Sequence, residues 1–297
     1  MMGDQPMSWP LYMPTAALTF AVAVGASAAS PTLGAEPGRQ TLDETFAPYA
    51  ELLDRHLLEK ALPNGGLVSA FDYQAALDHP ETEALLQEQD QLLALFDRAS
   101  LDERQRAVAF WLNTYNYFML AHILSNPRNG ELVGSVRDYG HLFNPYRVFS
   151  QNHFDIGGRK FSLSEIENEI LLGDDYRALG WKDARVHFAV NCASVGCPPL
   201  RTELYRPDNV DALLAENTRR ALRTPRHFEL RGDTLYLTEL FDWYEEHFVA
   251  EQGSVKAWLR AHGEDAVVEA VDRARRIRHT AYDWQLNRPE NFPEFSD

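Results

Sequence analysis

The stretch from Ala107 to Leu124 constrains the fold of this 297-residue chain more than any other. Apolar side chains occupy nearly every angle around a helix of this sequence, which predicts a helix buried on all sides. Ser100-Leu101-Asp102-Glu103 precedes it as a capping-box pattern, and Ser125-Asn126-Pro127 ends it, because the residue before a proline disfavours the helical conformation. We expect this helix to be the centre of a domain.

The other predicted elements are shorter and of both types. Capping-box patterns at Thr41–Glu44 and Ser162–Glu165 each predict the start of a helix. Apolar-polar alternation predicts a strand at Arg185–Cys192, and a turn at Arg231-Gly232-Asp233 predicts a hairpin. Further short strands are predicted at Leu67–Phe71, Arg147–Ser150, Phe154–Ile156 and Lys160–Phe161. The sequence thus predicts a helix-rich α+β single domain, with a small, mainly antiparallel sheet around a buried central helix at about residues 101–124.

The N-terminal residues are typical of an export signal. Leu11 to Ala29 (LYMPTAALTFAVAVGASAA) are almost wholly apolar or small, and Ala26-Ser27-Ala28 resembles a cleavage site. No Lys or Arg precedes Arg39, so an uncleaved anchor and a later start at Met13 are alternatives. We predict a signal peptide at 1–28, a flexible linker at 29–40 and the domain at 41–297. The protein is then exported, to the periplasm, with no membrane span after cleavage.

Composition limits the classes of partner. Acidic residues outnumber basic ones by 44 to 28, which gives a net charge of −16. This charge repels nucleic acid and anionic membranes. The sequence contains no nucleotide-binding or serine-hydrolase motif and no close set of metal ligands, so we expect no cofactor and no metal. A small molecule or a peptide is the partner class left open, and the oligomeric state is not indicated.

Several blocks of the sequence resemble the DUF547 family, in the family's order. They are Val68–Tyr73, Ala109–Asn116 (AFWLNTYN), Leu163–Glu167, Asp183–Cys192, Ser194–Leu200, Leu237–Phe248 and Tyr282–Asn287. The resemblance covers nearly all of the chain after the leader; its most specific part is about residues 100–225, above all the run from His187 to Pro198. The family has no assigned function, so the resemblance implies membership and no mechanism.

The residues from His187 to Cys197 are the strongest candidates for chemistry. Cys197 lies in a loop before two prolines, where a thiol can be presented, whereas a strand would turn Cys192 toward the core. If the loop brings Cys197 near His187, the imidazole activates the thiol and Asn191 orients the imidazole. The chain would then be a cysteine-dependent hydrolase or acyl transferase.

Two structural alternatives compete with catalysis. Cys192 and Cys197 can form a disulfide in an exported protein, or the loop can be purely structural, with His187 satisfied inside the fold. In either case the chain is a non-catalytic periplasmic binding or envelope-assembly module. The sequence leaves open whether the protein is an enzyme.

Two amides on the central helix also need partners. Asn113 and Asn116 are three residues apart and therefore share one face of the helix. They either line a substrate-binding cleft or bind the backbone of neighbouring loops. Buried side-chain amides mostly bind backbone, which favours the second alternative.

Overall fold

The central helix is the longest element of the computed structural model, which describes residues 40–296. It spans Arg104–Ser125, and every residue from Arg106 to Leu124 except His122 is buried, which confirms the predicted burial on all sides. The predicted capping box at Ser100–Glu103 is wrong. Ser100 instead closes a short 3₁₀ turn, and the helix begins after Glu103 without a side-chain cap.

Within the described residues the helices are short apart from this one. In chain order they are α1 (Leu42–Thr45), α2 (Ala47–His56), α3 (Tyr73–Asp78), α4 (Thr82–Ala94), α5 (Arg104–Ser125), α6 (Arg147–Ser150), α7 (Asp174–Ala178), α8 (Val210–Leu222), α9 (Leu240–Trp243), α10 (Glu245–Gln252), α11 (Val255–His262) and α12 (Asp265–Arg273). A π-helix spans Glu165–Leu171, and 3₁₀ turns span Arg98–Ser100, Val136–Tyr139, Ala184–Phe188, Pro289–Asn291 and Pro293–Phe295. The Thr41–Glu44 capping box is confirmed, since Thr41 and Glu44 cap each other. At Ser162–Glu165 only half of the box forms, because the Ser162 hydroxyl accepts the N–H of Glu165 while the Glu165 carboxylate pairs with Arg159.

The strands form three small sheets where one was predicted. They are β1 (Leu57–Ala61), β2 (Leu67–Phe71), β3 (Phe154–Ile156), β4 (Arg159–Phe161), β5 (Phe228–Arg231), β6 (Thr234–Thr238) and β7 (Arg276–Thr280). β1–β2, β3–β4 and β5–β6 pair antiparallel, while β7 joins β6 in parallel. The predicted hairpin is confirmed, with Gly232 at the positive φ that its turn requires. Helices and small sheets together confirm the α+β class.

Two predicted strands are wrong. Arg147–Ser150 is one turn of helix, α6, and Arg185–Cys192 is the 3₁₀ turn Ala184–Phe188 followed by a loop. The Asp183 carboxylate starts that turn by accepting the N–H of Arg185 at 3.0 Å. Val186 and Phe188 alternate with polar residues as in a strand, but their side chains pack into two different hydrophobic clusters.

These two clusters form most of the core. The first surrounds α5, where the Phe110 ring stacks on Phe96 at 4.1 Å, and the second is an aromatic group that includes Phe241 and Trp258. Val186 belongs to the first cluster and Phe188 to the second. The segment that carries the candidate residues therefore lies where the two clusters meet.

The C-terminal segment lies against the cysteine loop. The N–H of Leu286 donates to Gly134, and the N–H of Val195 donates to Gln285, so the segment is bonded on both sides. The N–H of Asn287 binds the carbonyl of Ala193 at 3.0 Å. The cysteine loop and the C-terminal segment, which are about ninety positions apart in the sequence, are thus hydrogen-bonded to each other.

The N-terminal predictions lie outside the described residues. These are the signal peptide at 1–28 and the linker up to residue 39. Between residues 40 and 296, no helix combines the length and the apolar character needed to cross a bilayer.

The packing around α5 predicts that shortening one of its buried side chains lowers the free energy of unfolding by a large amount. Phe110→Ala removes a fully buried ring and should lower the free energy of unfolding by about 3–5 kcal/mol. Leu95→Ala, at a position 86% exposed, is the control and should change it by less than about 0.5 kcal/mol. Urea denaturation measures both. Equal losses in the two variants would contradict the assignment of the core.

Candidate functional site

The two asparagines of α5 bind backbone within the candidate segment His187–Cys197 and shortly after it. Asn113 donates from Nδ2 to the Tyr205 carbonyl at 2.7 Å, and its Oδ1 accepts the Tyr205 N–H at 3.0 Å. Asn116 donates to the Ala189 carbonyl at 2.9 Å and accepts the N–H of Asn191 at 2.8 Å. Each amide therefore uses both its donor and its acceptor to hold a loop, as the structural alternative for these residues predicts.

Asn191 is engaged in the same way. Its Nδ2 donates to the Pro198 carbonyl at 2.8 Å, and its Oδ1 accepts the N–H of Ala193 at 2.9 Å. The second bond spans a tight turn in which Ala193 has a φ of 59°, a conformation that a residue with a side chain seldom adopts. The Asn191 amide thus stabilises the loop, and no hydrogen bond joins it to His187 within the described residues.

The structure joins Cys192 and Cys197 in a disulfide. The exposures of the two residues are the reverse of the prediction: Cys197 is buried, at 7% exposure, while Cys192 is half-buried. The prediction that a strand buries Cys192 is wrong, because the loop begins before it. Both sulfurs lie beside the Tyr282 hydroxyl, at 3.1 Å from Cys192 Sγ and 3.0 Å from Cys197 Sγ.

His187 lies in a different contact group. Its imidazole is buried and stacks on the Tyr244 ring at 3.9 Å, and its Nε2 is 2.8 Å from Nδ1 of His247. On the other side, Nδ1 faces the Glu167 carboxylate at 3.6 Å. This arrangement favours a proton on Nδ1 of His187, with Nε2 accepting the Nδ1–H of His247. In the described part of the chain no hydrogen bond links His187 to Cys197.

A buried carboxylate, Glu167, lies at the centre of this group. It belongs to the π-helix, a rare conformation that occurs frequently at functional sites. Burial, and after it the Glu167 charge, raises the pKa of Tyr115, Tyr244 and Tyr282 well above the usual value. These three hydroxyls therefore stay protonated. Those of Tyr115 and Tyr244 hydrogen-bond to the Glu167 carboxylate, whereas the Tyr282 hydroxyl donates to Cys197 Sγ at 3.0 Å and so connects the group to the disulfide.

Sequence reasoning missed this cluster. Its members are far apart in sequence, at Tyr115, Glu167, His187, Tyr244, His247 and Tyr282. The one available signal was that every member lies within or beside a block that resembles the family. His247 lies on the same short helix as the exposed Glu245 and Glu246, but its own side chain is half-buried.

Burial changes the protonation of His247. Desolvation, then the neighbouring His187 and Lys182, lowers its pKa to about 3. The imidazole is therefore neutral in the folded protein near neutral pH. Within residues 40–296, no group of three or more His, Cys, Asp or Glu side chains is arranged to hold a metal ion.

A groove opens on the other side of Tyr282. It is an open concavity of about 600 Å³, lined by Ser135, Arg137, Asp138 and residues 281–285. Arg137 lies over the rings of Tyr146 and Trp284, at 5.4 and 5.8 Å, and forms no ion pair among the described residues. The groove thus combines aromatic surface with one cation and several polar groups, a common composition of ligand sites.

The comparisons with known proteins identify the central part of the chain. Residues 99–221 match the family model described as "Protein of unknown function, DUF547". This span contains α5, Glu167 and the whole His187–Cys197 segment. Comparison with curated proteins and with solved structures gives no significant match.

The backbone bonds of Asn116 predict a specific loss of stability. Asn116→Ala leaves the Ala189 carbonyl and the Asn191 N–H buried without this partner, and should lower the free energy of unfolding by about 2–4 kcal/mol. Asn126→Ala is the matched control, because Asn126 follows the same helix and binds backbone from an exposed position. In urea denaturation, Asn126→Ala should lower the free energy of unfolding by less than about 1.5 kcal/mol. A smaller loss for Asn116→Ala than for Asn126→Ala would contradict the structural role.

The neutral imidazole of His247 predicts a pH dependence. Its folded pKa of about 3 lies below the ordinary value of 6.5, so the unfolded chain binds more protons between these values. The free energy of unfolding should therefore fall as the pH is lowered from 6.5 toward 3. His247→Gln should make this slope shallower in urea titrations at several pH values, with His141→Gln, an exposed position, as the control. An unchanged slope in His247→Gln would show that this imidazole is charged in the fold.

Proposed function

The chain is a DUF547 domain-containing protein, and from that premise we propose that it is an exported binding module of the cell envelope. In this proposal the His187–Cys197 segment is structural, and the ligand site is the groove lined by Arg137, Tyr282 and Trp284. The partner is a small molecule or a peptide.

One observation carries the proposal: the polar groups that suggested catalysis are already bonded. The amides of Asn113, Asn116 and Asn191 all bind backbone. The sulfurs are bonded to each other. A cysteine hydrolase needs a free thiolate with an imidazole within hydrogen-bond reach, and His187 contacts Glu167 and His247 instead.

The groove supports a binding role. Arg137 keeps its guanidinium on two aromatic rings without an ion pair in the described part of the chain, although the protein carries an excess of acidic residues. Asp138, beside it, accepts the N–H groups of Gly134 and Ser135, each at 3.0 Å. The Asp138 carboxylate therefore holds the backbone at the edge of the groove. The side chains of Arg137 and of the exposed Gln285 remain available to a ligand.

The disulfide supports export, because such bonds persist in oxidising compartments and are rare in the cytosol. Together with the apolar leader and the Ala26-Ser27-Ala28 pattern, it favours the periplasm. The second candidate function, a cysteine-dependent hydrolase or acyl transferase, requires an open disulfide. It also requires His187 to leave its stack on Tyr244.

Intact-mass analysis of protein expressed with its own leader tests the proposal. We expect the mass of residues 29–297 less two hydrogens, and no labelling by iodoacetamide until a reductant is added. The full-length mass would contradict cleavage of a signal peptide after Ala28. Rapid labelling of Cys197 in unreduced protein would favour the hydrolase.

A structural loop predicts a modest effect of removing the cysteines. The disulfide closes a short loop, with a sequence separation of 5, so loop entropy gives it about 2 kcal/mol of stability. The double variant Cys192→Ala/Cys197→Ala should lose about that amount in urea denaturation and keep the wild-type near-ultraviolet spectrum. Reduced wild-type protein is the control and should show a similar loss. If the double variant and the reduced wild-type protein both lost the native near-ultraviolet spectrum, the disulfide, and not the side-chain amides of Asn116 and Asn191, would hold the loop.

A further inference from the structure

The loop that carries the disulfide is held independently of it. The N–H groups of Asn191 and Ala193 are bound by the amides of Asn116 and Asn191. On the opposite side, the N–H groups of Val195 and Gly196 donate to the C-terminal segment, each at 2.9 Å. Because these bonds do not involve sulfur, the loop keeps its backbone partners when the S–S bond opens.

The two sulfurs have different surroundings. Cys197 Sγ accepts the backbone N–H of Cys192 at 2.9 Å and the hydroxyl of Tyr282 at 3.0 Å. Because the Tyr282 hydroxyl lies about equally far from both sulfurs, the Cys192 N–H is the contact that distinguishes them. This donor stabilises a thiolate on Cys197, so Cys197 is the better leaving group of the pair. Cys192 is the more exposed residue and is therefore the sulfur that an incoming thiol reaches.

Tyr282 connects the disulfide to the groove. Tyr282 is one of the residues that line the groove, and its hydroxyl lies 3.0–3.1 Å from the two sulfurs. The loop also approaches the Tyr282 ring closely: a Cβ added at Gly196 would lie 2.9 Å from Tyr282 Cε1. The groove and the disulfide thus share Tyr282 as a neighbour.

We propose that the Cys192–Cys197 disulfide exchanges with the thiol of a cysteine-bearing peptide bound in the groove. This inference rests on the proposed function in taking the groove as the binding site, and it departs from that proposal in giving the disulfide a covalent role beside its structural one. It names the partner class as polypeptides with a free cysteine and adds a covalent step to their binding.

The exchange balances in two steps. The peptide thiolate attacks Cys192 Sγ; a peptide–Cys192 disulfide forms, the Cys192–Cys197 bond breaks, and its electron pair goes to Cys197 Sγ. The Cys192 N–H and the Tyr282 hydroxyl hold this thiolate. A second thiol of the peptide then attacks the peptide sulfur and releases Cys192 as a thiolate. The peptide is oxidised to a disulfide and the protein is reduced to a dithiol.

The site of attack can be located with a peptide that has one cysteine. We would incubate the oxidised protein with acetyl-Ala-Cys-Ala-amide, quench with acid, block free thiols with N-ethylmaleimide, and map the products by mass spectrometry. We expect the peptide on Cys192 and the maleimide on Cys197. Attachment mainly to Cys197, or no adduct under conditions in which a small unstructured disulfide peptide exchanges, would overturn the inference.

The Tyr282 hydroxyl is the positioning group to test. Tyr282→Phe removes one donor to the departing thiolate and should slow the exchange by about tenfold. Tyr236→Phe, at a half-buried tyrosine on β6, is the matched control and should leave the rate unchanged. An unchanged rate in folded Tyr282→Phe would contradict the proposed stabilisation of the thiolate.

A second measurement covers the case in which Tyr282→Phe does not fold. In the Cys192→Ala variant, the ultraviolet absorbance of the thiolate reports the pKa of Cys197 directly. We expect this pKa to lie below the ordinary cysteine value of about 8.5. A pKa at or above that value would overturn the assignment of Cys197 as the leaving group.

Failure of the exchange can be distinguished from failure of the groove. Arg137→Gln should raise the peptide concentration that gives half-maximal exchange. Exchange that shows no saturation with peptide and no effect of Arg137→Gln would refute the binding site and leave the chemistry intact. Saturable quenching of tryptophan fluorescence by the peptide, without a mixed disulfide, would support the binding function and refute the exchange.

Discussion

Two carboxamides on one buried helix hold the backbone of the segments around the cysteine pair. Asn113 and Asn116 lie in a helix whose other side chains are almost all apolar, so their polar atoms must find partners inside the protein. They find them in the backbone at Tyr205 and on either side of Val190. The irregular stretch between the 3₁₀ turn Ala184–Phe188 and α8 is thus held by side-chain amides and not by a strand ladder.

The same constraint explains why a loop-rich site can be well defined. Asn191, itself held through its N–H by Asn116, spans the turn at Ala193 and binds the carbonyl of Pro198. The C-terminal segment then covers the loop and brings Tyr282 to the sulfurs. The burial of Tyr282, and after it the charge of the neighbouring Glu167, raises the pKa of Tyr282 well above its usual value and keeps the tyrosine protonated. The cysteine pair and the buried carboxylate are thus parts of one network that ends at the groove.

The sequence predicted the features that depend on local pattern. The buried helix, the Thr41–Glu44 cap, the hairpin at Gly232 and the family resemblance all follow from neighbouring residues. Arg185–Cys192 was predicted wrongly, because alternation arises equally when a 3₁₀ turn sends Val186 and Phe188 into two clusters. The Glu167 cluster and the groove assemble residues more than a hundred positions apart. No local pattern contains that information.

Amide hydrogen exchange of two residues tests the central claim most directly. The N–H groups of Asn191 and Tyr205 lie in loops, yet each donates to a side-chain oxygen of α5. If the carboxamides hold these loops, both protons should exchange as slowly as the backbone of α5, through global unfolding only. Exchange of either proton at the rate of an exposed loop would contradict the account.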